Sequence, residues 1–223
     1  MGAVLDLVKV LYEPTAVFER VREKPKFLAP FIALALAVVL ITILQLPYSK
    51  AAMVAQLSQR PNITPDQVQT ALKFASVGVV IAPLAYGVIL AINAFLLWVV
   101  VSLVGGEARF TTLLSVTTYA SIAYVLLSAV GLIVLTMRGT SAIASPLDLQ
   151  PALGLDLLAP DAKGFALAML RGINPFSLYG LFLTATGITV TCRTSKGAAY
   201  TAAVIQLLVA LTIAGLFTVA GGS

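Results

Sequence analysis

Five runs of this 223-residue chain contain no Asp, Glu, Lys, Arg or His: Leu28 to Leu46, Phe74 to Val104, Thr111 to Met137, Gly172 to Cys192 and Gly197 to Ser223. A helix of about twenty apolar residues crosses a hydrocarbon core roughly 30 Å thick, and soluble core helices are seldom so long without a charge. The chain therefore reads as an all-α polytopic membrane protein: a bundle of five transmembrane helices near 28–46, 76–104, 111–137, 174–192 and 197–219, with short interfacial helices. Residues 1–27 precede it as an amphipathic N-terminal segment, and 28–223 make up the bundle. With 60% hydrophobic and 10% charged residues, the chain has no room for a separate soluble catalytic domain.

What the runs lack excludes whole classes of function. Proton relays, ion-coupled carriers and voltage sensors keep ionisable groups at membrane depth. The chain has no His, the single Cys192 has no evident activating partner, and no carboxylate pair or metal-ligand cluster lies within a run. No catalytic residue, cofactor or metal site is expected, and the protein does not read as an enzyme. The net charge of +5 does not imply nucleic-acid binding, because most of the cations flank the runs, where they set orientation and meet anionic headgroups.

Orientation follows from those cations. With a cytoplasmic N-terminus, the inside segments (1–27, 105–110 and 193–196) hold eight Lys and Arg, against six in the longer segments outside. Arg20, Arg22, Lys24 and Lys26, packed just before the first run, are the main topology-setting residues. N-terminus in and C-terminus out is the expected arrangement in a bacterial inner membrane. The N-terminal segment itself lacks the order of a signal peptide. Val4, Leu5, Val8 and Leu11 recur at helical spacing; Pro14 breaks the pattern, and Phe18 and Val21 begin a second stripe opposite Glu19, Arg20, Arg22 and Lys24. Such helices are expected in the membrane interface, with a partner-docking surface as the alternative.

Two connections carry local signals. Thr64, Pro65 and Gln67 form a capping box with proline at the first helical position, predicting a helix from Pro65 into the second span. Asn62, Ile63 and Thr64 also spell a glycosylation sequon, but capping already accounts for Thr64. Between the third and fourth runs, Asp161 is expected to cap a short helix through Phe165, Leu167 and Leu170 on the outer interface. Asn174 and Pro175 are expected to start the fourth span.

Polar and small residues within the runs fall on defined faces. Tyr86 and Asn93 are seven residues apart beyond Pro83; Thr117, Ser121, Tyr124, Ser128 and Gly131 repeat at helical spacing; Gly180, Thr184, Gly187 and Thr191 do so in the fourth run, and Ala199, Ala203, Gln206 and Ala210 in the fifth. Small residues let helices approach closely, and an amide can bond across the contact. These stripes are expected to face helix neighbours, the alternative being a solute path lined by Tyr86, Asn93, Tyr124 and Gln206.

The segments EPTAVFERVREKPKFLAPFI, GGEARFTTLLSVTTYASIAYVL and NPFSLYGLFLTATGITVTCRTSKGAAYTAAVIQLL, in this order, resemble the Yip domain (Ypt-interacting protein) family. The likeness rests on Pro14, Phe18, Pro25 and Pro30, the Gly105-Gly106 turn followed by Phe110, the Tyr119-Ala120 pair, and the basic Arg193 to Lys196 turn before an Ala-rich last helix. It implies five transmembrane helices and a cytoplasmic N-terminus. Eukaryotic members bind small GTPases and coat components, with a long N-terminal region contributing. This chain has only about 27 residues there, which counts against small-GTPase binding and suggests a short prokaryotic member; some of these are encoded beside exporter components. Family members often carry Pro a few residues after the Tyr-Ala pair, so its absence here predicts a straighter third helix.

The expected function is that of a non-enzymatic interaction or assembly factor, for an exporter or a membrane-organising complex, in contact with lipid and with a membrane-protein partner or a second copy of itself. The alternative is a small transporter or channel for an uncharged or amphiphilic solute. The topology is directly testable: a reporter active only in the periplasm should be active when fused after Ser223 and silent when fused after Lys196. The reverse pair of results would overturn the assigned orientation.

Overall fold

The computed structural model describes residues 2–59 and 63–220, with side chains as far as Thr218; Asn62 of the sequon lies outside them. Nine α-helices are described: α1 (Gly2–Lys9), α2 (Pro14–Glu23), α3 (Leu28–Ser58), α4 (Pro65–Leu103), α5 (Phe110–Ala120), α6 (Ile122–Arg138), α7 (Gly164–Gly172), α8 (Pro175–Thr191) and α9 (Lys196–Ala220). Short 3₁₀ turns cover Thr140–Ala142, Pro146–Leu149 and Leu155–Leu158, and no strand occurs among the described residues. Four spans are long and apolar enough to cross a bilayer: α3, α4, α5 with α6, and α9. A fifth is formed if α7 and α8, bent by 60° at their junction, count as one broken span.

Local chemistry sets several boundaries as the sequence predicts. At the start of α4, the Thr64 N–H donates to Gln67 Oε1 at 3.0 Å and the Gln67 N–H to Thr64 Oγ1 at 3.4 Å. At the start of α8, Asn174 Oδ1 accepts from the N–H groups of Phe176 and Ser177, both at 3.0 Å, while the Asn174 N–H donates to Ser177 Oγ at 3.0 Å. Each box satisfies helix-end donors that have no partner within their own helix.

Two expectations need correction. Asp161 caps nothing: α7 starts at Gly164 after Lys163, which makes no side-chain cap. The helix α7 packs along α9, with Phe165 against Gly215 and Leu211 against Gly172. Long-range packing, not a local cap, fixes where this helix begins. The third span is interrupted despite lacking proline. At Ser121 the pattern tightens to an i to i+3 bond, Tyr124 N–H to the Ser121 carbonyl at 3.0 Å, and Ser121 Oγ donates to the Thr118 carbonyl at 2.7 Å. A serine hydroxyl competing for a helix carbonyl disturbs the ladder much as a missing N–H would.

The chain forms two compact units. One comprises Met1–Ala33, Val88–Tyr124 and Ala152–Ser223. Its core joins Leu97, Val100 and Val101 of α4, Leu113 of α5, Ile188 and Cys192 at the end of α8, and Ala199 and Ala202 of α9. Cys192 is thus a buried packing thiol. The N-terminal segment belongs to this unit: Val17, Phe18 and Val21 are buried, and α2 packs on α8 and α5. The second stripe of the sequence is therefore a protein-facing surface and not a membrane-facing one.

The other unit comprises Leu34–Gly87 and Val125–Pro151. The 31 residues of α3 rise about 46 Å and the 39 of α4 about 58 Å, well beyond a roughly 30 Å hydrocarbon core. The surplus turns of α3 have their own partners, with Tyr48, Ala51 and Ala52 packing against Leu135, Ile143 and Leu149. Along α3, Leu36, Leu40, Ile43 and Leu44 remain exposed, as a lipid-facing flank requires.

One close approach in the first unit brings α2 and α5 onto α8 at Gly187. A Cβ there would stand 2.5 Å from Val116 Cγ1 and 3.1 Å from Phe18 Cε1, whereas one at Gly78 would meet nothing within 4 Å. Gly187→Ala is expected to destabilise the protein by roughly 1–3 kcal/mol through overpacking. Gly78→Ala should be neutral or slightly stabilising, because glycine costs about 1 kcal/mol relative to alanine in a helix. Thermal unfolding of the two variants in mild detergent is the measurement; equal curves would mean that α2 does not seat against α8.

Candidate functional site

The polar residues singled out by the sequence separate into three groups. Asn93 on α4 and Gln206 on α9 meet: Gln206 Nε2 donates to Asn93 Oδ1 at 2.9 Å, and Asn93 Nδ2 donates to the Ile89 carbonyl at 2.8 Å. Asn93 lies ten residues before Leu103, and Gln206 ten residues after Lys196. Each is thus about 15 Å from its helix end, close to mid-bilayer. The match in depth is what allows the two antiparallel helices to pair these amides.

The second group is the small-residue stripe of α8. Gly187, Thr184 and Thr191 are buried, and Gly180 sits at ordinary contact from Ala123, its built Cβ 3.5 Å from the Ala123 methyl. The hydroxyls on these faces are largely spent on their own helices. Thr191 Oγ1 donates to the Gly187 carbonyl at 2.7 Å, Thr117 Oγ1 to Leu113 at 2.9 Å and Thr118 Oγ1 to Leu114 at 2.7 Å. Such back-bonding lets a hydroxyl face an apolar neighbour without an unmet donor.

The third group comprises Tyr124, Ser121 and Tyr86. Tyr124 is 60% exposed and points away from the unit's interior, and Ser121 is half-buried. Tyr86 is buried, but it belongs to the other compact unit. Of the residues expected to line a solute path, Asn93 and Gln206 bond each other. The topology-setting cations also differ among themselves. Arg22, Lys24 and Lys26 are exposed, whereas Arg20 Nη2 reaches Asp6 Oδ1 at 2.6 Å, and that hydrogen bond holds the guanidinium above its ordinary pKa.

Sequence reasoning missed the groups that fasten the N-terminal segment. The Tyr119 hydroxyl of α5 donates to the Ala3 carbonyl at 3.2 Å, and the Tyr179 hydroxyl of α8 donates to the Leu11 carbonyl. With the Asp6–Arg20 pair, the buried Leu7 and Val10, and Phe18 against Gly187, they make α1 and α2 part of the bundle. Spacing does flag both tyrosines as lying within apolar runs; it cannot name a carbonyl more than a hundred residues away as the acceptor.

A second feature lies at the bend between α7 and α8. A break at membrane depth leaves carbonyls that need partners. Here Asn174 Nδ2 donates to the Arg171 carbonyl at 3.0 Å, and the Leu155 N–H donates to that of Ile173 at 3.1 Å. Asp156, whose side chain is 2% exposed, accepts from Arg171 Nε at 3.0 Å and from the Gly154 N–H at 3.1 Å. Gly154 allows this closure, since a Cβ would lie 2.7 Å from the carbonyls of both Leu170 and Ile173. The break is closed by the chain's own groups.

The Yip1 domain matches residues 8–218, from the end of α1 to near the end of α9. The chain belongs to the Yip1 domain family. It is similar to the membrane protein YknW of Bacillus subtilis (strain 168), with 25% identity over 216 residues, covering 96% of this chain and 89% of that protein. No solved structure matches it.

The amide pair gives a sharp test. Asn93→Leu and Gln206→Leu are each expected to lower stability by roughly 0.6–2 kcal/mol, while the double variant should lose less than the sum, because replacing both partners leaves no orphaned amide. Strictly additive losses in a double-mutant cycle would show that the two amides do not bond in the folded protein.

Proposed function

We propose that this chain is a non-enzymatic assembly factor of the bacterial inner membrane, N-terminus cytoplasmic and C-terminus outside, whose work is to hold a membrane-protein partner such as an exporter. The observation that carries this reading is the way the interior spends its polar groups on itself. Asn93 and Gln206 bond each other, the hydroxyls of Thr117, Thr118 and Thr191 bond their own helices, and Asn174, Gly154 and Asp156 close the α7–α8 break. Carriers use discontinuous helices because the loosened ends offer carbonyls and N–H groups to a solute. Here those groups already have internal partners. A protein built in this way offers its surfaces to others more readily than a pathway through its core.

Family membership and likeness to a bacterial membrane protein support a role in the membrane. The test is purification of the full chain from its native membrane in mild detergent, beside a variant carrying Tyr119→Phe and Tyr179→Phe. Each substitution removes one bond to the N-terminal segment, at a cost of about 1 kcal/mol. A defined partner should co-purify with the unmodified chain at constant stoichiometry and be recovered less well with the variant. In reconstituted vesicles, the protein alone should give no flux driven by a proton or sodium gradient. Gradient-driven uptake abolished by Asn93→Leu would replace this reading with transport.

A further inference from the structure

The N-terminal helix has three faces where an ordinary amphipathic helix has two. At about 100° per residue, Ala3, Leu7 and Val10 share one arc, and Leu7 and Val10 are buried in the bundle. Asp6 and Lys9 share a second, where Asp6 pairs with Arg20 and Lys9 is exposed. Val4, Leu5 and Val8 share the third, 45%, 60% and 58% exposed, and Tyr12 just beyond the helix is 63% exposed. The first arc meets protein and the second suits water or headgroups. The third is apolar and looks away from the chain.

Depth decides what covers it. Tyr119, which bonds the Ala3 carbonyl, lies nine residues on from Phe110, about 14 Å along α5. Tyr179, which bonds the Leu11 carbonyl, lies twelve residues before Thr191, about 18 Å along α8. On the same unit the exposed Trp98 and Tyr200 lie five residues before Leu103 and four after Lys196, about 6–8 Å from those helix ends. Exposed Trp and Tyr mark the headgroup level. The third arc of α1 is therefore held roughly 5–10 Å inward of that level, the depth at which an interfacial helix meets the upper acyl chains. Arg22, Lys24 and Lys26, all exposed, border the same edge and complement anionic headgroups.

We propose that α1 is a wedge in one leaflet of the bilayer, the leaflet bordered by Lys24 and Lys26, with Val4, Leu5 and Val8 packed against phospholipid acyl chains and Lys9 turned to the headgroups. Unlike a free amphipathic helix, it is held at fixed depth by the tyrosine bonds, the Asp6–Arg20 pair and the buried Leu7 and Val10. It occupies area in one leaflet only, and does so whether or not a partner is bound, so it does not rest on the assembly reading.

The test uses the full chain reconstituted alone in vesicles of phosphatidylethanolamine and phosphatidylglycerol, with a nitroxide attached at Val8→Cys, Lys9→Cys or Leu36→Cys. Cys192, wholly buried, stays in place, and the otherwise unmodified chain serves as the labelling control. Collision with oxygen reports lipid, and collision with a water-soluble nickel chelate reports solvent. The oxygen-to-nickel ratio at Val8 should match that at Leu36, on the lipid-facing flank of α3, and exceed that at Lys9 roughly tenfold. A ratio at Val8 equal to that at Lys9 would overturn the wedge and mean that another protein covers this face in the cell. Should the Val8 label prevent folding, Leu5→Cys on the same arc gives the same comparison.

Discussion

At bilayer depth a backbone or side-chain polar group has no water to turn to, so each must find its partner within the chain. The arrangement of this protein follows from that constraint. Threonine hydroxyls fold back on their own helices, two amides at equal depth bond across α4 and α9, and the bend between α7 and α8 is closed by Asn174 and Gly154. Even the N-terminal segment is fastened in this way, with tyrosine hydroxyls from two spans donating to the carbonyls of Ala3 and Leu11. In lipid, where apolar surfaces gain little by leaving the solvent, close packing supplies the rest. Gly187 is the clearest instance, because its missing side chain makes room for Phe18 and Val116 together.

The same economy holds at the bend between α7 and α8. A broken span is often where a membrane protein binds its solute, since the interrupted ladder leaves polar groups on offer. Here the interruption is a structural corner. Its carbonyls are met by neighbouring N–H groups, and the buried Asp156 is held by Arg171 and by the Gly154 N–H. The belonging of α1 and α2 to the bundle likewise changes how the short N-terminus reads: it is a built element of the membrane domain and not merely a truncated cytoplasmic arm.

The features legible in the sequence were those decided locally or by hydropathy. The uncharged runs predicted the spans, and the capping box at Thr64 and the Asn174-Pro175 cap predicted two helix starts, because a cap needs only a few consecutive residues. The meeting of Asn93 and Gln206 was half legible, since helical spacing turned both inward without saying that each would be the other's partner. Tyr124 shows the limit. A residue on a periodic stripe faces a definite direction, but lipid and protein interior are both apolar, so pattern alone cannot tell which lies there. The same ambiguity hid Leu7 and Val10 behind the more conspicuous Val4, Leu5 and Val8. Asp161 looked like a cap, yet α7 begins where Phe165 can rest on Gly215, fifty residues away.

The Asp156–Arg171 pair has a consequence for how such a sequence drifts. With one carboxylate oxygen on Arg171, the other on a backbone N–H and its side chain only 2% exposed, Asp156 becomes a buried charge without its counter-ion if Arg171 is lost, at a cost of about 3–5 kcal/mol. Replacing both by apolar residues of similar size is close to neutral. The two positions thus have an order of loss: Arg171 before Asp156 is the costly route, because Arg171 is 21% exposed and Asp156 is not. Lineages that have lost both would carry a corner of the same shape with no charge in it.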